Sequence, residues 1–498
     1  MVDLMGAADA PAIGAPGRQS MSYRDLARQV CEIRDFLGHA GLADGDRVAL
    51  VLPNGPEMAS AFLGVAAGLT AAPLNPAYRG DEFRFYLEDL DARLLIVEEG
   101  SESDAVAVAR DLGMGLAQVC VAENARAGAF TLRLREEPDP RTVTHDAGTA
   151  LVLHTSGTTS RPKIVPLSRD NLAASATNIA QSLALSFEDR ALNIMPLFHI
   201  HGLVGAVLST MRAGASVYCA PGFNPLKFFS WCEDIRPTWY TAVPTMHQAI
   251  LARAPRNVAT LASLDLRLIR SSSASLPSRV MEELEATFGC PVIESYGMTE
   301  ASHQMTSNPL PPAPRHAGSV GIAAGPEVAI MDEERGHLLQ AGETGEVVIR
   351  GANVTHGYEN NDDANGAAFV DGWFRTGDQG LLDDRGYLWL TGRLKEIINR
   401  GGEKISPLEV DEVLMAHPAV DQAVTFAVPH ATLGEDVAVA VVPRDGEAPS
   451  EASLRSFAGA RLAAFKVPRQ VIILDEIPKG ATGKLQRIGL AATLGLAS

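Results

Sequence analysis

Short runs of aliphatic and β-branched residues alternate with longer helix-patterned runs over most of the chain. Arg47–Leu52 (RVALVL) reads as a buried strand, Glu57–Thr70 as a helix and Arg93–Val97 (RLLIV) as the next strand. Ala150–Leu153 is a further strand and Ala173–Leu185 a further helix. Such alternation requires α/β layers with largely parallel sheets. The 498 residues exclude one continuous core, because single cores stop growing near ~250–300 residues. After about residue 320 the pattern changes to short strands (Val328–Met331, Glu346–Ile349, Tyr387–Leu390) split by Gly- and Asp-rich turns, as in a small antiparallel sheet or barrel. Past Gly392 an α+β unit starts, with strands at Ile397–Asn399, Val420–Val428, Val437–Val442 and Val471–Leu474. Its first helix is marked by Ser406 as N-cap, Pro407 at the first helical position and Glu409 closing a capping box. The expected organisation is a large α/β N-terminal domain, 1–392, with a β-barrel-like subdomain at about 320–392. A small α+β domain, 393–498, follows a boundary near 393–395.

Composition narrows the function classes. Hydrophobic residues make up 46% and charged residues 20%, a globular balance. Lys and Arg number 42 against 60 Asp and Glu, a net charge of −18, which argues against a nucleic-acid partner. Cys31, Cys120, Cys219, Cys232 and Cys290 are scattered without metal-ligand spacing, as expected for buried thiols in a reducing cytoplasm. Residues 1–20 lack a signal-peptide pattern, and the uncharged stretches Met58–Tyr78 and Ala191–Met211 are broken by prolines and histidines. No membrane association is expected, and the chain is expected to be a monomer or homodimer.

Three constellations carry chemistry. His154-Thr155-Ser156-Gly157-Thr158-Thr159-Ser160-Arg161-Pro162-Lys163 follows a buried strand, and small hydroxylic residues with a glycine let backbone amides gather round an anion. It is not a P-loop, since Pro162 precedes Lys163 and Ile164 follows it. Glu294-Ser295-Tyr296-Gly297-Met298-Thr299-Glu300 pairs an aromatic with a glycine and ends on a hard oxygen ligand suited to magnesium. Gly372-Trp373-Phe374-Arg375-Thr376-Gly377-Asp378 places a carboxylate where it could accept from ribose hydroxyls. Taken singly, these segments are more often a surface loop, a strand end and a Gly-Asp turn.

In this order, with PLFHIHG (196–202), GRLKEIINRGGEKISP (392–407) and PKGATGKLQR (478–487), they resemble the adenylate-forming superfamily of acyl-CoA synthetases, peptide-synthetase adenylation domains and beetle luciferases. The resemblance spans about Tyr23 to Arg487. It implies an ATP- and Mg²⁺-dependent ligase that makes an acyl-adenylate and passes the acyl group to coenzyme A. It implies that Thr155, Ser156, Gly157, Thr158, Thr159 and Lys163 grip the pyrophosphate end of ATP, that adenine lies between Tyr296-Gly297 and Ala274-Ser275, and that Glu294 is among the cofactor-binding residues. Thr299 would touch the α-phosphate, Glu300 would hold magnesium, and Asp378 and Arg393 would bind ribose. Lys395 falls at the hinge of a mobile C-terminal domain, Lys404 near the nucleotide and Gly402 near CoA. Lys484 is the adenylation lysine. Ser160 departs from the glycine of many members.

The resemblance lines the acyl pocket with segments around His199, Ser273 and His303, with His199 also counted in the catalytic set. Their polarity suits a short acid with a second polar end, whereas a fatty acid would need an apolar tunnel. The strings SSSAS and MTEASHQMTSNPLPP resemble those of oxalate–CoA ligases. Oxalate's second carboxylate would then accept from Ser273 and His303, and it would favour a protonated His303. Malonyl-CoA synthetases tend to carry an arginine where Ser295 stands; other short, medium-chain or aryl acids are further alternatives. Of another kind are a stand-alone adenylation protein that loads a carrier protein, and a sensor without turnover, against which Lys484 and Glu300 argue.

Overall fold

A computed structural model describes residues 6–140, 145–155, 162–478 and 487–496. Ser156, Gly157, Thr158, Thr159 and Lys484 therefore lie outside the described residues. The described residues form four sheets. In the seven-stranded sheet, Arg47–Val51 runs parallel between Thr70–Pro73 and Leu94–Glu98, and Thr149–Thr155 joins beside Thr70–Pro73. Arg47–Val51 is buried along its whole length, which is why it reads as an unbroken aliphatic run rather than an alternating one. The nine-stranded sheet has parallel strands at its centre, among them Arg190–Asn193, Trp239–Ala242, Leu268–Ser271 and Val292–Met298. Its edge turns antiparallel through His303–Ser307.

The helices follow the same logic. Tyr23–His39 buries Tyr23, Leu26, Gln29, Ile33 and Leu37 at three- and four-residue spacing, and Ser22 caps it by accepting from the Asp25 amide. Two expected helices are shifted. The first spans Pro56–Ala66, because Thr70 already belongs to a strand. The second spans Arg169–Ser182, where Ser168 and Asn171 form a capping box.

The third sheet is antiparallel and holds Glu327–Met331, Gly345–Arg350, Phe369–Val370, Trp373–Leu382 and Leu388–Arg393. The fourth begins with Ile398–Arg400 and Glu403–Ile405 and closes on Val420–His430, Gly434–Pro443 and Gln470–Ile473. Ser406 caps the helix Pro407–Met415, but the reciprocal half of the expected capping box is absent. The Glu409 carboxylate turns to Lys466 Nζ instead, at 2.6 and 2.8 Å. Polar contacts between this last unit and the rest include Ser278 to Glu412 at 2.8 Å and Lys404 to Glu333 at 3.6 Å.

Candidate active site

The site lies where the loops leave the carboxyl ends of Leu268–Ser271 and Val292–Met298, the usual place for ligands in open α/β sheets. Thr149–Thr155 and Lys163–Ser168 form an antiparallel hairpin in which Thr155 stands opposite Lys163. A strand, not a helix, therefore follows the hydroxylic segment, a second difference from a P-loop. Lys163 Nζ sits 4.2 Å from the centre of the Tyr358 ring. The Tyr358 hydroxyl donates to Glu300 Oε1 at 2.9 Å.

Glu300 is buried, and burial is the main reason its carboxyl is held above the ordinary range, opposed by Tyr358, Arg393 and Lys163. One buried carboxylate beside a cation and the Thr299 hydroxyl is the kind of donor set magnesium takes together with substrate phosphates. The residues present fit that ion.

The turn expected to meet ribose is built by strand register. Asp378 and Arg393 are paired across adjacent strands, and Arg393 Nε reaches Asp378 Oδ1 at 3.0 Å. The Tyr296 hydroxyl donates to Asp378 Oδ2, which fixes the ring. Ala274 and Ser275 are exposed on the loop between Ser271 and the helix at Ser278. Glu294, expected among the cofactor-binding residues, lies beneath this loop and not at its surface. It is 1% exposed, and its Oε1 accepts from the Leu276 amide at 2.8 Å, bracing that loop from beneath. Burial pushes its carboxyl up to about 8.

The acid end is a separate cluster. A wide-turned π-helix, His201–Leu208, follows His199, which is half-buried; such turns recur at functional sites. His201 is buried, with Nδ1 3.0 Å from Ser273 Oγ and Nε2 2.6 Å from Thr241 Oγ1. The His303 ring packs edge-on against it with centroids 4.9 Å apart. Gly205 preserves this space, since a Cβ there would lie 2.8 Å from His303 Nε2. Ser273 (φ 74°), Ser302 (φ 49°) and His303 (φ 107°) all adopt left-handed backbone. Strain of this kind persists only where surrounding structure enforces it, and it gathers at ligand sites. Arg270 Nη2 approaches His303 Nδ1 at 3.5 Å. A guanidinium can only donate, so Nδ1 accepts and the ring proton sits on Nε2. Arg270 places a positive charge directly behind His303.

Lys395 is exposed between the third and fourth sheets. Gly402 (φ 96°) lies in the tight turn at Arg400–Glu403, and its amide donates to Asn399 Oδ1 at 3.1 Å. Lys404 is exposed and faces Glu333. Tyr358, His201, Thr241 and Arg270 were not assigned roles by sequence reasoning. For Arg270 a signal existed, a charge inside an otherwise apolar strand; for Tyr358 none did.

The Thr155–Lys163 hairpin, the buried Glu300, the Asp378–Arg393 pair and the polar cluster of His201, Ser273 and His303 together have the chemistry expected of a nucleotide-dependent, acid-activating ligase. The AMP-binding enzyme family matches residues 4–359, and the AMP-binding enzyme C-terminal domain matches 409–484. The chain belongs to the AMP-binding enzyme family. It is 47% identical over 462 residues to the oxalate–CoA ligase of Arabidopsis thaliana, covering 91% of this chain and 89% of that one. It is 39% identical over 511 residues to the oxalate–CoA ligase of Saccharomyces cerevisiae, covering 96% and 93%. ATP-bound MatB from Rhodopseudomonas palustris superposes with a TM-score of 0.86 at 30% identity, over 97% of this chain and 96% of that one. The protein is an acid–thiol ligase that joins a carboxylic acid to coenzyme A through the acyl-adenylate, using ATP and Mg²⁺. Among the described residues, no helix is long and apolar enough to cross a membrane.

Proposed function

We propose that the acid is oxalate. One observation carries this reading: the acid end is floored by a buried hydroxyl–imidazole cluster, Ser273, His201 and His303, where an acyl chain would need apolar walls. The names of the Arabidopsis and yeast relatives support it. In the first step one oxalate carboxylate oxygen attacks the α-phosphorus of ATP, the Pα–O bond to pyrophosphate breaks, and the mixed anhydride forms. Both reactants are anionic, so the site must neutralise and align them. We assign neutralisation to Lys163 and Lys484, with Thr155, Ser156, Gly157, Thr158 and Thr159 around the phosphates. Magnesium held by Glu300 would screen the phosphate charge. Tyr296, Gly297, Ala274 and Ser275 cover the base, Thr299 touches the α-phosphate, and Asp378 and Arg393 bind ribose. Ser273 and His303 donate to the second carboxylate, and His199 borders the reacting one.

In the second step the CoA thiol sulfur attacks the carbonyl carbon, the C–O bond to AMP breaks, and the thiol proton leaves. We assign the exchange between steps to rotation about Lys395, which brings the Gly402 turn and Lys404 to the CoA side. We place the enzyme in the cytoplasm as a monomer or homodimer.

The test is AMP formation with ATP, Mg²⁺ and CoA against oxalate, malonate, acetate, octanoate and 4-coumarate, with Lys484→Ala as control. Preference for oxalate, lost in the control, is the expected result. Preference for another acid sinks the roles given to Ser273 and His303.

A further inference from the structure

The acid end contains a charge that the fold does not balance. Arg270 sits in the strand Leu268–Ser271 with no exposed surface. Its Nη2 donates to Gln304 Oε1 at 3.1 Å and to His303 Nδ1 at 3.5 Å. Nε and Nη1, carrying three further N–H groups, meet no acceptor among the described residues. No Asp or Glu carboxylate among them pairs with this guanidinium, whereas the other fully buried arginine, Arg47, is matched by Glu359. Burial lowers its pKa to about 9, which leaves it cationic at neutral pH.

A buried cation without an anion is costly, and removing a charge of this kind commonly stabilises a fold. Its placement supplies a reason to keep it. Thr241 and Arg270 stand in register on neighbouring strands and point to the same side of the sheet. Thr241 holds Nε2 of His201, and Arg270 holds Nδ1 of His303. The two imidazoles, packed against each other, are thus each fixed from behind by one sheet residue. In this arrangement Nδ1 of His303 accepts from Arg270, so the imidazole has a positive charge immediately behind it.

We propose that Arg270 is the specificity-determining cation of the acid pocket, a positioning residue that acts through His303 and selects acids bearing a second anionic group. This rests on the reading that the acid is oxalate. It deepens that reading by assigning the charge preference to a residue that need not touch the substrate. Because the reacting carboxylate lies at the other end of the acid, Arg270 governs KM far more than kcat.

The experiment compares oxalate with oxamate, its mono-amide, which has nearly the same shape and one negative charge fewer. Wild type, Arg270→Met, Arg270→Gln and Arg270→Lys are assayed by AMP formation with CoA, and their melting temperatures are measured. Arg270→Met is expected to raise KM for oxalate about tenfold or more, while changing KM for oxamate and kcat for either acid by less than about threefold. Its melting temperature should equal or exceed that of wild type. Arg270→Lys should hold the oxalate-to-oxamate ratio within about threefold of wild type, because it retains the charge. If Arg270→Met does not fold, Arg270→Gln removes the charge and keeps a donor for Gln304. Equal losses with both acids, a lowered melting temperature, or failure of both neutral variants to fold would show a structural role and overturn the proposal. A wild-type preference for oxalate that survives in Arg270→Met overturns this inference alone. A wild type that does not prefer oxalate to oxamate overturns the oxalate reading and this inference together.

Discussion

The two ends of the site handle charge in opposite ways. At the proposed nucleotide end two acidic groups have partners in place: Asp378 lies between Arg393 and Tyr296, and Glu300 accepts from Tyr358. At the proposed acid end Arg270 is buried with no acid beside it among the described residues, and strained backbone at Ser273, Ser302 and His303 holds the surrounding groups. On the proposed assignment, the nucleotide end has its charges partnered before ligand arrives, and binding there exchanges one set of partners for another. The acid end keeps a deficit of negative charge, so the ligand itself completes the balance. Pre-organisation of the first kind costs little stability. The second kind costs stability and gains discrimination between anions.

The sharpest way to break this contrast is at the residue where the two ends meet. Gly297 lies in the strand Val292–Met298, and a Cβ there would stand 1.7 Å from the His303 carbonyl oxygen. Gly297→Ala must therefore displace the adenine cover and the acid floor together. AMP formation should fall about 100-fold or more, with KM raised for ATP and for the acid alike. A loss confined to one substrate would mean that the two ends are not mechanically joined.

Smaller changes should separate them. Asp378→Asn weakens the Arg393 pair and the bond to Tyr296. KM for ATP should rise about 10–100-fold with KM for the acid unchanged. Ser273→Ala removes a hydroxyl 3.0 Å from His201 and leaves the left-handed backbone as it is. KM for oxalate should rise about 5–10-fold with KM for ATP unchanged. Steady-state kinetics with each substrate varied in turn distinguishes these patterns, and crossed effects would remove the division between the ends.

The two ends also differed in legibility. Glu300, Asp378 and Arg393 lie in short ordered motifs, and their side chains meet the partners Tyr358, Arg393 and Asp378. That Asp378 and Arg393 are register partners could not be read locally, because it depends on a bulged pairing of two strands. Tyr358 reaches Glu300 from 58 residues away along the chain, across a separation that carries no periodic signal. Arg270 was visible as a charge in an apolar strand, but whether an acid covers such a charge is decided only by tertiary packing. The same holds for Glu409, whose spacing from Ser406 predicted a capping box and whose carboxylate was taken by Lys466. The parallel character of the central strands was implied by the βα alternation, but not their order, and helix ends moved where a neighbouring strand or cap claimed the terminal residues.

The least disruptive test concerns Glu294, which is buried and uncompensated like Arg270 but can shed its charge. Its carboxyl rises from 4.5 to about 8 because burial penalises the ionised form, with a smaller contribution from Glu412. The sign follows from where the proton is held more tightly. Between pH 4.5 and about 8 the unfolded chain has already released this proton while the folded chain retains it. Stability from the neutral carboxyl is thus fully present below 4.5, declines as pH rises and levels off above about 8. Glu294→Gln does not titrate, and its amide oxygen can still accept from the Leu276 amide. The variant should gain on wild type as pH rises from 5 to 8, by on the order of 3–4 kcal/mol, and hold a nearly constant lead beyond that. Thermal melts of both proteins across this range measure the difference directly. A gap that does not change with pH would mean that Glu294 titrates in the folded protein as it does in the unfolded chain, and that Arg270 alone carries uncompensated charge beneath the site.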